Sequence, residues 1–523
     1  MASPSPLGYF GRHRAAFRGI RSRLRKSNAG LQEGFAMCRR ASTRLWLWML
    51  IISAVASSTV FAQSKPNVVF LVSDDLANRL GAYGDTVVKT PNLDALAKKG
   101  VRFERAYCQF PLCNPSRASF LTGLRPDTIK VYENATQFRQ VVPEAVSLPQ
   151  TFQKAGYFVA RVGKLYHYGV PGQIGTAGLD DPPSWQETIN PIGRDKAEEI
   201  DVIQHTGRKG SLGASISWLK TGGDGNDHTD GHVADGVIGL IKKNKDKPFF
   251  IAGGFYRPHV PCVAAEPYFK LYDDQKFVVP SPTPAGLAKV PPVAFFIKPP
   301  NYGLNLDVLS DFTRAYYASI SQMDAHVGRV LKAIEDEGLA DRTVVVFISD
   351  HGYLLGEHGG QWMKMSLFEQ SARVPMIVYA PGRKGNGQAS GRTVELVDLH
   401  ATLADICGIA APKTDGESFA TLLDDPSAKW NHPAYTQVTR NVPIAGDAPK
   451  VAAKKKAGAA RQIMGRSVRT ERFRYVEWDS GTLGAELYDH QVDPAENDNL
   501  ANDPAYAETR SKLKALLGQG SRG

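Results

Sequence analysis

Five short apolar runs, residues 68–72, 158–162, 249–251, 344–348 and 376–379, punctuate the chain, with segments of helical periodicity between them. Apart from Arg161 they are apolar, rich in Val, Ile and Phe, and do not alternate with polar residues, which is the pattern of strands buried on both faces. The fold class this predicts is α/β, with the runs as parallel strands of one large sheet flanked by helices. Thr90 and Pro91 are suited to open a helix that Gly100 closes. Tyr316, Ile320, Met323, Val327, Leu331 and Ile334 keep helical spacing ahead of Gly338, the mark of a long amphipathic helix.

Ligands of open α/β sheets gather beyond the carboxyl ends of the strands. Ionisable residues stand just beyond each of the first four runs: Asp74 and Asp75, then Lys164 and His167, then Arg257 and His259, then Asp350 and His351. Any one of these is ordinary as a helix cap or a surface charge, but their delivery to one edge points to a site. Three carboxylates and an imidazole can hold one hard divalent cation; on chemistry alone calcium, magnesium, zinc and manganese all stay open.

Between the first and second runs stands Cys113-Asn114-Pro115-Ser116-Arg117, continued by Ala118-Ser119-Phe120-Leu121-Thr122-Gly123-Leu124-Arg125-Pro126. Proline at a first helical position has its φ pre-set and gives up only an N–H that would be orphaned anyway. Cys113 is therefore expected at a helix N-terminus, where free N–H groups and the dipole favour an anion, with Arg117 one turn on adding a fork of donors. Taken singly, a buried thiol and a surface arginine would be the plain reading of these two residues.

The whole string resembles the signature of the type I, formylglycine-dependent sulfatases, whose cysteine is converted to an aldehyde. That resemblance implies an alkaline-phosphatase-like fold, a large mixed but mostly parallel sheet with a smaller C-terminal α+β subdomain. It implies that Cys113 becomes formylglycine, made by a separate maturation enzyme, and that the hydrated aldehyde attacks sulfur and later expels sulfate. It implies one calcium ion on Asp74, Asp75, Asp350, His351 and residue 113. In Gly163-Lys164-Leu165-Tyr166-His167, Lys164 would hold sulfate and the diol while His167 takes the diol proton; Arg117 would orient the diol. His259, in Tyr256-Arg257-Pro258-His259-Val260-Pro261, and Lys364, in Trp362-Met363-Lys364, would assist the departing alcohol. Arg117, Lys164, His259, Tyr353 and Lys364 would touch substrate.

Arg125-Pro126-Asp127-Thr128 and the stretch from Ser349-Asp350-His351 to His358-Gly359 are similar to the iduronate-2-sulfatase branch and its bacterial relatives. This chain has Tyr353 where the lysosomal enzyme has Trp. The expectation is an exported enzyme acting on a sulfated carbohydrate, at the 2-position of a uronic acid. The alternatives are a phosphate or phosphonate ester hydrolase of the same superfamily, a choline-sulfatase-like enzyme, or a non-catalytic protein that binds sulfated glycans.

Composition bounds the rest. The net charge of +11 suggests nucleic acid or membrane, but residues 1–62 hold ten Lys or Arg and one acid, leaving 53 basic against 51 acidic residues beyond. Nucleic acid is therefore not expected as a partner. Arg39, Arg40 and Arg44 precede an apolar run from Leu45 to Ala56, and Val60-Phe61-Ala62 offers small residues to a signal peptidase. Residues 1–36 read as a basic extension or a misassigned start ahead of Met37, and 37–62 as a secretory signal. The apolar run is short for a membrane span, so a secreted or periplasmic location without a stable anchor is expected. Cys108, Cys113, Cys262 and Cys407 are too few and scattered for a disulfide framework. A catalytic domain is placed at 63–440 and the C-terminal subdomain at 441–523. The seven prolines of residues 280–300 suggest a surface loop, and the four lysines of 449–461 a flexible one.

Overall fold

The first apolar run extends to the strand β1 (Asn67–Asp74), buried at every position. Val68, Phe70 and Val72 pack into the core on one face of the sheet, Val69 and Leu71 into the core on the other, as the two-residue period of a strand requires. The computed structural model describes residues 65–280, 284–443 and 460–520; the leader and the lysine-rich segment through residue 459 lie outside them. The described residues form one compact unit.

In chain order β1 is followed by α1 (Pro91–Lys99), β2 (Val101–Tyr107), α2 (Cys113–Thr122), β3 (Phe158–Gly163) and β4 (Glu187–Ile189). Then come α3 (Thr229–Asn244), β5 (Phe249–Pro258), α4 (Leu306–Asp336), β6 (Thr343–Ser349), β7 (Arg373–Val374), β8 (Met376–Tyr379) and β9 (Ala389–Glu395). These strands make a nine-stranded sheet in which β6, β1, β5, β3 and β4 lie side by side and parallel. Helices α3 and α4 cover one face, through Val233, Val237, Tyr316, Ile320 and Met323, while Ala118, Phe120 and Leu121 of α2 cover the other. Asn305 caps α4 by accepting the Asp307 N–H, so the helix starts well ahead of the apolar stripe that predicts it.

Two local expectations are corrected. Residues 376–379 form a strand, but β8 runs antiparallel to both β6 and β2. After β6 the chain makes a long excursion that includes a hairpin and returns beside it at β8 in the opposite direction. Arg373 and Val374 of β7 continue the same antiparallel pairing along β2. Thr90 stands before α1, yet its hydroxyl accepts the Gly81 N–H and donates to Asp94 rather than capping the helix. Gly100 ends the helix for a different reason from a left-handed turn: a Cβ there would lie 2.7 Å from the Val378 carbonyl oxygen of β8.

A second sheet, four-stranded and antiparallel, is built from β10 (Ala434–Pro443), β11 (Ala460–Arg469), β12 (Phe473–Trp478) and β13 (Ala485–Asp489), with α5 (Ala507–Gly520) after it. It begins at Ala434, ahead of residue 440. The proline-rich stretch is mostly turns, at Pro292–Ala294 and Pro300–Gly303, and Val290 and Ala294 pack with Val438, Ile463 and Trp478 of this sheet.

Candidate active site

At the end of β1 the chain makes a sharp turn, and Asp75 takes φ of 64°, a left-handed conformation that a non-glycine residue keeps only under constraint. The constraint is visible. The Tyr316 hydroxyl donates to the Asp75 carbonyl at 2.6 Å and accepts the Ala77 N–H at 2.9 Å. Asp75 N–H donates to Asp350 Oδ1 at 3.2 Å, and Ser349 Oγ accepts the Leu76 N–H at 2.9 Å. The two carboxylates of the turn are thereby locked to the end of the neighbouring strand β6. Tyr316 reads in the sequence as one member of an apolar stripe, and nothing in that pattern announces its hydroxyl.

Cys113 begins α2 and is fully buried. Its sulfur lies 3.3 Å from Lys364 Nζ, 3.4 Å from His351 Nε2 and 3.9 Å from Asp75 Oδ1. Burial resists ionisation of this thiol, but Lys164, Lys364, His167 and His259 together hold its pKa well below the ordinary value. Arg117 donates from Nε to Asp350 Oδ2 at 2.8 Å, and its NH1 donates to the Lys164 and Leu165 carbonyls. It thus ties α2 to β6 and to the turn after β3.

Lys164 donates to Asp74 Oδ2. Its position is set by backbone contact: a Cβ on Gly254 of β5 would lie 2.0 Å from the Lys164 carbonyl oxygen, so only glycine permits the approach. Lys364 follows a short hairpin in which Leu354 pairs with Met363 and Leu355 with Trp362, and its Nζ donates to Asp75 Oδ1 at 2.6 Å. His259 Nδ1 donates to the Val260 carbonyl at 2.6 Å, which turns Nε2 toward Asp75 Oδ2, 3.8 Å away. The exposures of His167 (9%), Lys364 (7%) and His259 (4%), against zero for Cys113, Asp74, Asp75 and Lys164, mark the side from which a substrate can enter.

The carboxylates, His351 and Cys113 fit a divalent cation. Ligand atoms of Asp74, Cys113, Asp350 and His351 lie within 4.8 Å of one another, as do those of Asp74, Asp75, Cys113 and His259. Asp74 Oδ1 and Asp75 Oδ2 are buried without a hydrogen-bond partner among the described residues, an arrangement that leaves lone pairs for a metal. Burial and the neighbouring thiol push Asp74 up, but Lys164, His259 and Arg117 outweigh them and keep it ionised. Burial works against charge on His351, yet Asp350 and Asp75 push its pKa up to about 9. Its Nδ1 faces the Gly352 carbonyl at 3.0 Å, so the proton that a cation would displace is the one on Nε2.

A family model described as Sulfatase matches residues 66–409. The chain belongs to the sulfatase family. This sulfatase is 31% identical to human iduronate 2-sulfatase, over 88% of its own chain and 96% of the relative. Among solved structures it matches a 2-O GAG sulfatase with TM-score 0.65 at 22% identity, covering 87% of this chain and 92% of that one. It matches the phosphonate monoester hydrolase of Agrobacterium radiobacter with TM-score 0.69 at 24% identity, covering 87% and 96%. The fold is that of sulfatases and the alkaline-phosphatase-like enzymes, and the sulfatase is a sulfuric ester hydrolase.

Two sequence candidates stay outside the cluster. The ring of Tyr353 stacks on Tyr316, with centroids 5.2 Å apart, in the apolar core, and the residue is 1% exposed. Tyr353 thus packs into the core rather than joining the cluster. Arg257 is engaged instead by Asp195, in an ion pair at 2.8 Å, and its NH1 donates to the His259 carbonyl, bracing the loop that carries this histidine.

Proposed function

We propose that this chain hydrolyses a sulfate ester of a carbohydrate, a uronic-acid 2-sulfate, at formylglycine made from Cys113 beside one calcium ion, and that it does so after export. The observation that carries this reading is the gathering of Lys164, Lys364, His167 and His259 around the buried Cys113, in the same cluster as two carboxylate oxygens, Asp74 Oδ1 and Asp75 Oδ2, that have no hydrogen-bond partner among the described residues. A hydrated aldehyde at residue 113 would supply a hydroxyl nucleophile for sulfur and a second hydroxyl able to expel sulfate. Bound at Asp74, Asp75, Asp350 and His351, calcium would neutralise charge on the sulfate oxygens.

The side chains divide the remaining work. Arg117 and Lys164 hold residue 113 and the sulfate oxygens against Asp74 and Asp350. Burial lowers the pKa of His167, which makes it a base for a hydroxyl proton at residue 113. His259 and Lys364, at the open side, face the ester oxygen, and a sugar alkoxide is a poor leaving group that needs their proton. Export is supported by the leader, and no helix among the described residues is long and apolar enough to cross a membrane.

Sulfate release across defined sulfated oligosaccharides, with matched phosphate esters as the second arm, tests the reading. Uronate 2-sulfates are expected to turn over fastest. Preference for phosphate would instead favour the phosphonate hydrolase reading that the Agrobacterium neighbour raises. Calcium at 100 times its Kd is expected to raise folding stability by about 2.7 kcal/mol in the intact protein. Asp75→Asn should lose most of that gain in a melting experiment, and equal gains in the two proteins would show that the ion binds elsewhere.

A further inference from the structure

Arg440, on β10, is a buried cation that no buried anion matches among the described residues. It is 8% exposed. Its NH1 donates to the Thr439 carbonyl at 3.0 Å and its NH2 to the Met365 carbonyl at 2.5 Å, while Nε is enclosed without an acceptor. The rings of Phe296 and Trp478 each lie 5.2 Å from the guanidinium carbon. The acid it senses is Glu486, whose oxygens accept from Trp478 Nε1 and the Tyr488 hydroxyl at 2.7 Å each. Burial pushes Glu486 up to about 7, which further weakens it as a counter-charge, and the same desolvation draws Arg440 down to about 10. A guanidinium stripped of water in this way is unfavourable until an anion reaches it.

The surroundings suit such an anion. Arg440 forms part of the wall of a cavity of about 830 Å³ whose lining, among the described residues, includes Phe295, Phe296, Lys298, Met365 and Arg461 and no acidic residue. Arg461 is engaged by Asp479 at 2.7 Å, whereas Lys298 Nζ meets a carbonyl, that of Pro292, at 3.3 Å. Met365, in the cavity lining, directly follows Lys364, whose ammonium lies 3.3 Å from Cys113 Sγ. Aromatic faces give a sugar ring an apolar surface, and a planar guanidinium matches a carboxylate or sulfate in two bonds.

We propose that this cavity is a subsite for a second acidic sugar of the substrate, whose carboxylate or sulfate is gripped by Arg440 while its ring lies against Phe296. The proposal rests on the carbohydrate sulfatase reading, and its test is independent of turnover. Titration calorimetry on the Cys113→Ala protein uses three probes: a sulfated uronate tetrasaccharide, the same compound with its carboxyls reduced, and the same compound with sulfate removed from the flanking sugar. Adding Arg440→Met is expected to weaken the intact tetrasaccharide about 10- to 100-fold. Arg440→Lys should recover part of the loss. Whichever probe lacks the gripped anion will bind equally well with and without the Arg440→Met substitution, which identifies the anion as carboxylate or sulfate. Equal affinity of both proteins for the intact tetrasaccharide, with unchanged melting temperature, overturns the proposal. If Arg440→Met does not fold, Phe296→Ala and Lys298→Ala on the exposed rim carry the test, and unaltered affinity in both overturns it. Failure of the wild-type protein to release sulfate from any probe would instead sink the sulfatase substrate reading and leave the binding result standing.

Discussion

Cys113→Ala abolishes sulfate release, by a factor on the order of 10⁶ if residue 113 is the covalent nucleophile. The fold should survive. The sulfur contacts Lys364, His351 and Asp75, all held by other partners, so the substitution removes one small buried atom from a polar pocket. Sulfate release and the melting temperature are measured on the same preparation, with peptide mass spectrometry reporting whether residue 113 of the wild-type protein carries an aldehyde. Turnover that persists in Cys113→Ala would falsify the formylglycine mechanism outright. A wild-type peptide that always carries the free thiol, yet releases sulfate, would do the same.

Arg474→Met is expected to destabilise the protein by about 3–5 kcal/mol, read from denaturant unfolding, because it takes the shared buried cation from two buried carboxylates, leaving Glu369 to Arg469 and Glu496 to His490. Arg474, on β12, is fully buried, pairs with Glu496 at 2.5 Å and with Glu369, and donates to Ser467 Oγ at 3.1 Å. Glu369 lies just before β7 of the large sheet, so this guanidinium clamps the C-terminal sheet to the segment leaving the active site. Burial pushes both glutamates up, but Arg469 and Arg474 draw Glu369 down, and Arg474 and His490 draw Glu496 down. Depressed carboxylate pKa values contribute stability above the ordinary value of 4.5, and that stability is lost as pH falls through the folded values. The gap between wild type and Arg474→Met should therefore be widest at neutral pH and close in acid. A gap that is constant with pH would assign the loss to packing instead.

Much of the site is legible in the sequence because it depends on short-range chemistry at strand ends. Asp74, Asp75, Lys164, His259, Asp350 and His351 each stand close behind an apolar run, and the runs that carry them are adjacent parallel strands. Helix α2 starts at Cys113, as expected for a helix N-terminus there, but Pro115 is its third residue rather than its first. What periodicity does not encode is direction and partner. The run at 376–379 is equally apolar whether its neighbours run parallel or antiparallel to it. Tyr353 stands two residues after a cluster histidine yet faces the core, because Gly352 lies against the Gln370 carbonyl, where a Cβ would sit 2.1 Å from the oxygen, and the chain turns there. Arg440 is invisible for a further reason: its lack of a counter-charge is a property of three segments distant in sequence, and a lone arginine in a strand looks like any other.

The antiparallel return of β8 beside β6 has a bearing on how such enzymes diversify. Ile348 and Met376 are direct partners, so residues 350–372 leave the sheet after β6 and the chain re-enters it, through β7 and β8, at neighbouring points. His351 stands near the outgoing foot of that excursion and Lys364 within it, the latter fixed by its own hairpin. With both feet anchored in adjacent strands, the span between them can be lengthened or exchanged at a small entropic cost. Substrate contacts can then be varied within this one contiguous span while Asp74, Asp75 and Cys113, which lie outside it, keep their places.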